Sequence, residues 1–376
     1  MKPIVRAGRM KPVHSDIRGP LFVEAMKRQK QGIDILKLNT GNPATFGFGL
    51  PDSIKNALIE HMQDGVGYCD FKGMPQARQA ICDYETSKGI KGITSDDVFI
   101  GNGVSEVVSF ALTPLLNDGD EVLVPSPSYS LWGNSVYLED GKPVFYTCDE
   151  QANWYPDIQD IRSKITDKTK AIVIINPNNP TGTYVPIGEL EAFADTLPED
   201  VLLVMDEAYM EFATEPDCCS MVDYMKAHPE KPILVLRTFS KYYAMAGLRV
   251  GYALGSEELI GIMRKCSASW NLNVCAQKAA VAGLADQEYY QEQKAKIVEG
   301  REYLEKEMAA LGCRVYPSQS NFIYFDTGKD PAWIQEQLME KGIRIGAFEM
   351  SRVSVGTMEE CKLYIKALKE ILEAAE

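Results

Sequence analysis

RTFSKYYAMAGLRVG, residues 237–251, sets Lys241 one residue after Ser240 and eight before Arg249. A lysine amine condenses with an aldehyde, and a hydroxyl beside a guanidinium grips a phosphate dianion, the arginine through its planar fork. Serine–lysine pairs and glycine–arginine loops also occur at ordinary helix ends, so the surroundings decide the reading. Four apolar runs each lead into a polar cluster: VFI (98–100) into GNGVSE, AIVII (171–175) into NPNNPTG, VLLVM (201–205) into DEAY, and ILVL (233–236) into RTFSK. Short continuous apolar runs separated by helix-like segments predict parallel strands buried on both faces. In an open parallel sheet ligands bind beyond the carboxyl ends of the strands. All four clusters fall at that end, so they are expected to converge although they span about 140 residues.

Each cluster has chemistry to offer. In GNGVSEVVSFAL the chain passes through glycines into a helix, where the Val104 and Ser105 amides and the helix dipole suit a phosphate. Asp206 can pair with a pyridinium nitrogen and keep it protonated, which makes such a ring an electron sink. Tyr209, three residues on, and Asn179 can donate to a phenolic ring oxygen, and Tyr129 in PSPSYSLW offers a face for stacking. Asn, Pro, Gly and Asp are also the ordinary turn residues. One such coincidence is unremarkable, whereas four with complementary chemistry argue for a single site.

NPNNPTG, DEAY and the serine–lysine pair with its downstream arginine, in this order, resemble the class I/II aminotransferases, which are pyridoxal-5'-phosphate enzymes of fold type I. The resemblance covers essentially the whole chain. It implies an α/β fold, with a large domain built on a mostly parallel sheet and a smaller α+β domain. It implies pyridoxal 5'-phosphate as cofactor and amino acids and 2-oxo acids as substrates, exchanged by a ping-pong mechanism. By the same resemblance Lys241 is the attachment lysine and proton shuttle, Asp206 binds the pyridine nitrogen, and Tyr209 and Asn179 hold the ring oxygen. Val104, Ser105, Thr238, Ser240 and Arg249 hold the phosphate. Tyr68, in GVGYCDFKG, matches a tyrosine that reaches the phosphate of a neighbouring subunit, which implies a homodimer with shared active sites. Arg352, in MSRVSVG, matches the arginine that grips the substrate α-carboxylate, with Gly41 of NTGNP beside it.

The two halves lean towards different substrates. SDIRGPLFVEAMKRQ, LKLNTGNPATFGF, GYCDFKG and CDEQANWYPDIQDIRSKIT resemble bacterial glutamate–pyruvate (alanine) aminotransferases. RTFSKYYAMAGLRVGYALG, SNFIYF and SRVSVGTMEEC resemble histidinol-phosphate aminotransferases, and Leu248 stands where the alanine enzymes usually carry phenylalanine. The opening lacks the NxNPYG typical of the histidinol-phosphate group. Alanine with 2-oxoglutarate is the first expectation, histidinol phosphate the second and aromatic amino acids the third. Decarboxylation of a phosphorylated amino acid, as in threonine-phosphate decarboxylase-like relatives, and a sensor role are weaker rivals. Arg264 is a candidate for a second carboxylate of glutamate, though an arginine ending a helix more often lies on the surface.

A chain of 376 residues suits a large cofactor domain plus a smaller one. We divide it into an N-terminal arm and helix (1–33), a cofactor-binding domain (34–263) and a C-terminal domain (264–376). Its net charge of -14 argues against a nucleic-acid surface. The basic N-terminus has no apolar core like that of a secretory signal, and no run approaches a membrane span, so a cytoplasmic protein is expected. Nine cysteines show no CxxC spacing, and the only histidines are His14, His61 and His228, so no metal site is expected and the thiols are read as reduced and mostly buried. A long helix is expected to stop at Gly312. A final helix should start with a capping box from Thr357 to Glu360 and bury Leu363, Tyr364, Ala367, Leu368, Ile371 and Leu372.

Overall fold

Short apolar runs become the buried strands of one large sheet. The computed structural model describes residues 4–14 and 20–375; part of the expected N-terminal arm, residues 1–3 and 15–19, lies outside the described residues. After the helix Pro20–Lys30 comes β1 (Leu36–Lys37). The central sheet is built from β2 (Val98–Gly101), β3 (Glu121–Ser126), β4 (Lys142–Asp149), β5 (Tyr155–Pro156), β6 (Thr169–Ile175), β7 (Leu202–Asp206), β8 (Ile233–Thr238) and β9 (Gly251–Leu254). Its spatial order is β2-β9-β8-β7-β6-β3-β4-β5. The pairings β4–β3, β3–β6, β6–β7 and β7–β8 are parallel, while β9 runs antiparallel between β8 and β2. The two antiparallel pairings leave β2 running in the same direction as β8. All four sequence clusters therefore leave the sheet at one end.

Side-chain alternation along the strands divides the core. Leu202, Val204, Leu234 and Leu236 pack on one face with Val104, Val107 and Trp132. Leu203, Met205, Ile233 and Val235 pack on the other with Tyr252 and the tyrosine-rich segment around Tyr243. Because period 2 sends successive residues to opposite faces, Asp206 and Thr238 end on the first face, and Glu207 and Arg237 on the second.

The C-terminal part contributes β10 (Arg314–Val315), β11 (Phe322–Asp326), β12 (Ile343–Arg344), β13 (Gly346–Ala347) and β14 (Ser351–Ser354). A separate antiparallel sheet has the order β10-β11-β14-β13, and β12 pairs in parallel with β1. The long helix Gln287–Ala310 ends where expected, with Gly312 left-handed at φ 83°. In the last helix, Met358–Glu373, the Glu360 carboxylate accepts the Thr357 N–H at 2.7 Å and the Thr357 hydroxyl accepts the Glu360 N–H at 3.3 Å. One expected core position is corrected: Leu363 is 53% exposed, and the buried stripe runs through Cys361, Tyr364, Ile365, Ala367, Leu368 and Ile371. Leu363 lies on the edge of that stripe, where hydrophobicity alone cannot tell rim from core. The nine cysteines are all free thiols, five of them buried.

Candidate active site

β7 ends in Asp206, and this carboxylate organises the site. It is 7% exposed; its Oδ2 accepts the indole N–H of Trp132 at 2.8 Å and its Oδ1 accepts the Ala208 N–H at 3.2 Å. Burial pushes its pKa up, and these two donors act in the opposite direction by favouring the charged form. Lys241 lies in the loop after β8, and its amine makes no hydrogen bond or ion pair with the described residues. Burial, with Arg352 and Arg249 adding to it, brings this lysine down to about 8, so a substantial fraction is neutral near physiological pH.

These side chains share one cavity of about 610 Å³. Its walls include Gly41, Val104, Ser105, Tyr129, Asn179, Asp206, Tyr209, Thr238, Ser240, Lys241, Arg249 and Arg352. Residues from positions 41 to 352 thus meet because β2, β6, β7 and β8 release their loops on one side. Two predicted residues lie apart from this cavity. Tyr68 is 80% exposed and stacks on Trp270, with ring centroids 5.4 Å apart. Arg264 is turned away: it donates to the Val98 carbonyl at 3.1 Å and sits near Asp96, which gives it no route to a substrate in the cavity.

At one end of the cavity, the helix Val104–Leu112 begins after Gly103 with no side-chain cap, so the Val104 and Ser105 amides are left for a ligand. Gly103 has φ 83°, and a Cβ there would run into the Arg249 guanidinium. On the other side of the same turn, a Cβ at Gly251 would lie 2.8 Å from the Val104 nitrogen. Bare backbone and a guanidinium are thus pressed together. Arg249, itself left-handed at φ 57°, donates to the Ala246 carbonyl at 2.8 Å and the Asn102 carbonyl at 3.4 Å. The Ser240 N–H bonds the Thr238 hydroxyl at 3.0 Å, which shapes the loop leading to Lys241.

At the other end, Arg352 on β14 is 7% exposed, its guanidinium 4.8 and 4.9 Å from the ring centroids of Phe322 and Phe348. It donates to the Asn179 side chain and, at 2.7 Å, to the Asn39 carbonyl. Asn179 in turn donates to the Tyr209 hydroxyl at 3.4 Å. The buried Nε–H of this arginine has no acceptor among the described residues. Burial pushes the Tyr209 hydroxyl up to about 12 and leaves it a neutral donor.

Trp132, Asn39, Phe322 and Phe348 were not singled out from the sequence. Trp132 follows Tyr129 by three residues in PSYSLW, but a tryptophan at a helix start is normally core. Of the others, Phe322 lies on β11, while Asn39 and Phe348 sit in the turns just after β1 and β13.

The mostly parallel sheet, with the Lys241 amine, the buried Asp206 carboxylate and Arg249 at its carboxyl end and Arg352 reaching the same cavity from β14, has the architecture of the fold type I pyridoxal-phosphate transferases. A family model for aminotransferase class I and II matches residues 33–368, and the chain belongs to that family. Among its relatives, glutamate–pyruvate aminotransferase of Haemophilus influenzae is 44% identical over 68% of this chain, a match that spans 63% of the relative's length. Histidinol-phosphate aminotransferase 2 of Carboxydothermus hydrogenoformans is 36% identical over 84% of this chain and 86% of its own. Histidinol-phosphate aminotransferase of Sinorhizobium meliloti, solved in complex with pyridoxal-5'-phosphate, superposes with a TM-score of 0.84 at 25% identity, covering 99% of this chain and 98% of that one. Members of the family depend on pyridoxal 5'-phosphate. The donor set here fits that group: uncapped helix amides beside Arg249 for a dianion, a buried carboxylate for a ring nitrogen and an unpartnered amine for an aldehyde. Among the described residues no helix is long and apolar enough to cross a membrane, and no cluster could hold a metal ion.

Proposed function

We propose that the chain is a pyridoxal-phosphate-dependent aminotransferase that exchanges an amino group between alanine and 2-oxoglutarate by ping-pong turnover. One observation carries this reading: the Lys241 amine, lowered to about 8, shares its cavity with the buried Asp206 carboxylate and the buried Arg352 guanidinium. The cofactor, when bound, supplies an electron sink conjugated to the substrate's α-carbon. The remaining work falls to the side chains. Lys241 would hold the cofactor's aldehyde carbon, and its free amine would be the base that takes and returns the substrate's α-proton. Asp206 keeps the ring nitrogen protonated, supported by Trp132. Tyr209 and Asn179 would donate to the cofactor's ring oxygen, and Tyr129 would offer it a stacking face. Thr238, Ser240, Arg249 and the Val104 and Ser105 amides hold the phosphate. Arg352, with Asn179 and Gly41, orients the substrate carboxylate and so aims the α-hydrogen at Lys241.

Alanine as donor is supported by the Haemophilus relative. A second reading, histidinol phosphate, is favoured by the Carboxydothermus relative, whose match spans more of this chain. Rapid mixing of the holoenzyme with a panel of amino donors, followed by the cofactor's absorbance, separates them. Alanine and glutamate should convert the cofactor fastest. Histidinol phosphate reacting while alanine is inert would replace the substrate assignment, and no conversion by any donor would refute transamination.

A cytoplasmic homodimer belongs to the same proposal, with Tyr68 reaching the phosphate of the adjoining subunit. So does a division into a cofactor-binding domain (34–263) and a C-terminal domain (264–376) joined by the N-terminal segment (1–33). The separate four-stranded sheet supports the division, while the pairing of β1 with β12 ties residues 36–37 to the C-terminal domain rather than to the central sheet.

A further inference from the structure

Behind the cofactor cavity, on the opposite face of the sheet, lies a buried ionic cluster that the proposed chemistry does not use. Arg237 is 2% exposed; its Nη2 meets the Glu207 carboxylate at 2.9 Å and its Nη1 donates to Glu211. Glu207 is fully buried and also accepts the Met221 N–H at 2.9 Å. Nearby, the fully buried Glu85 pairs with Lys88 at 2.9 Å and accepts the Tyr252 hydroxyl at 3.0 Å. Three carboxylates hold the guanidinium firmly in its charged form despite its burial. An apolar substitute would stabilise a fold about as well as such a pair, so buried ions need another reason to be present.

Their positions in the chain supply one. Glu207 directly follows Asp206, Glu211 comes two residues after Tyr209, and Arg237 directly precedes Thr238. One guanidinium therefore ties the segment that carries the ring contacts to the strand that leads into Ser240 and Lys241. The Glu207 N–H also bonds the Leu236 carbonyl at 3.0 Å, which fixes the same two strands by their backbones. We propose that Arg237 is a positioning residue for the active site: by bridging Glu207 and Glu211 across the back of β7 and β8, it fixes the spacing between Asp206 and Tyr209 on one side and Lys241 on the other. This inference rests on the aminotransferase reading above.

Arg237→Lys keeps a charge but loses the two-armed bridge, and Glu211→Gln keeps a hydrogen-bonding partner but loses its charge. Both are compared with wild type by titrating apoprotein with pyridoxal phosphate, by the pH midpoint of the bound cofactor's absorbance, and by thermal melting. Misplacement on the scale of an ångström is expected to weaken cofactor binding in Arg237→Lys by roughly ten- to a hundredfold and to displace the pH midpoint. Glu211→Gln should move both readouts the same way by less. Lower melting temperatures with wild-type affinity and an unchanged pH midpoint in both variants would reduce Arg237 to a structural role and overturn the inference. If Arg237→Lys does not fold, Glu211→Gln decides by the same two readouts. Wild-type apoprotein that takes up no pyridoxal phosphate would instead overturn the underlying reading, so the two failures are told apart.

Discussion

Asp206 shows how a residue's role depends on partners that the sequence does not announce. Its position after an apolar strand was legible; the Trp132 N–H that holds it was not, because indole–carboxylate contact requires β7 and the helix Leu131–Leu138 to meet. That bond favours the ionised carboxylate, so its loss raises the carboxyl pKa. Trp132→Phe is therefore expected to move the acid limb of the pH profile for kcat/KM upward, by roughly one to two pH units for a bond to a charged group worth about 1.5–3 kcal/mol. An acid limb that stays in place would contradict the contact's role. Lys241 gives a second prediction, this time on stability. Its pKa is depressed to about 8 in the folded protein, so the cost of burying its charge is fully present below pH 8. As pH rises from there towards the unfolded value the unfolded chain binds the extra proton, and stability recovers. Lys241→Met apoprotein should melt above wild-type apoprotein at pH 7, by at most about 3 kcal/mol of stability, with most of the gap gone by pH 10. Equal melting curves at both pH values would refute the buried-charge account.

At the scale of elements, hydrophobic runs predicted the central strands because burial on both faces leaves little room for polar residues. The same signal was silent on β9, which begins at Gly251 without a continuous apolar run and lies antiparallel inside an otherwise parallel neighbourhood. It also misjudged Leu363, which sits at the rim of its helix. The turn from β2 into the helix Val104–Leu112 shows how local geometry serves the site. Gly103 combines a positive φ with a close approach of Arg249. Gly103→Ala is expected to push the guanidinium aside and weaken pyridoxal phosphate binding by about tenfold or more, since a charge-assisted bond to a dianion is worth on the order of 1.5–3 kcal/mol. Spectroscopic titration of the apoprotein measures it, and unchanged affinity would mean that Arg249 does not serve the phosphate.

For the whole molecule, the exposed pair Tyr68 and Trp270 is the feature a single chain leaves unexplained. Large aromatic side chains this open to water favour a covering partner. If Tyr68 completes the neighbour's site, sedimentation should show a dimer, and Tyr68→Phe should weaken cofactor binding while the dimer persists. A monomer with full activity would refute the shared site. Arg264 teaches the converse. It was a candidate for a second substrate carboxylate although its place near the end of a helix pointed to the surface, and in the fold it turns onto Val98 and Asp96.

Hydrophobic run lengths and the polar residues that follow them were enough to read the parallel strands and the end of the sheet where Lys241 and Asp206 come together, while the full α/β architecture was legible through the resemblance to the class I/II aminotransferases. These are local properties, written in consecutive residues. Which groups support that chemistry from behind was decided only when the strands packed: Trp132 on Asp206, Asn39 and two phenylalanines around Arg352, and Arg237 between Glu207 and Glu211. Apart from the Phe348–Arg352 pair, such contacts join residues tens to hundreds of positions apart, and their energies depend on burial and distance, which no linear spacing encodes.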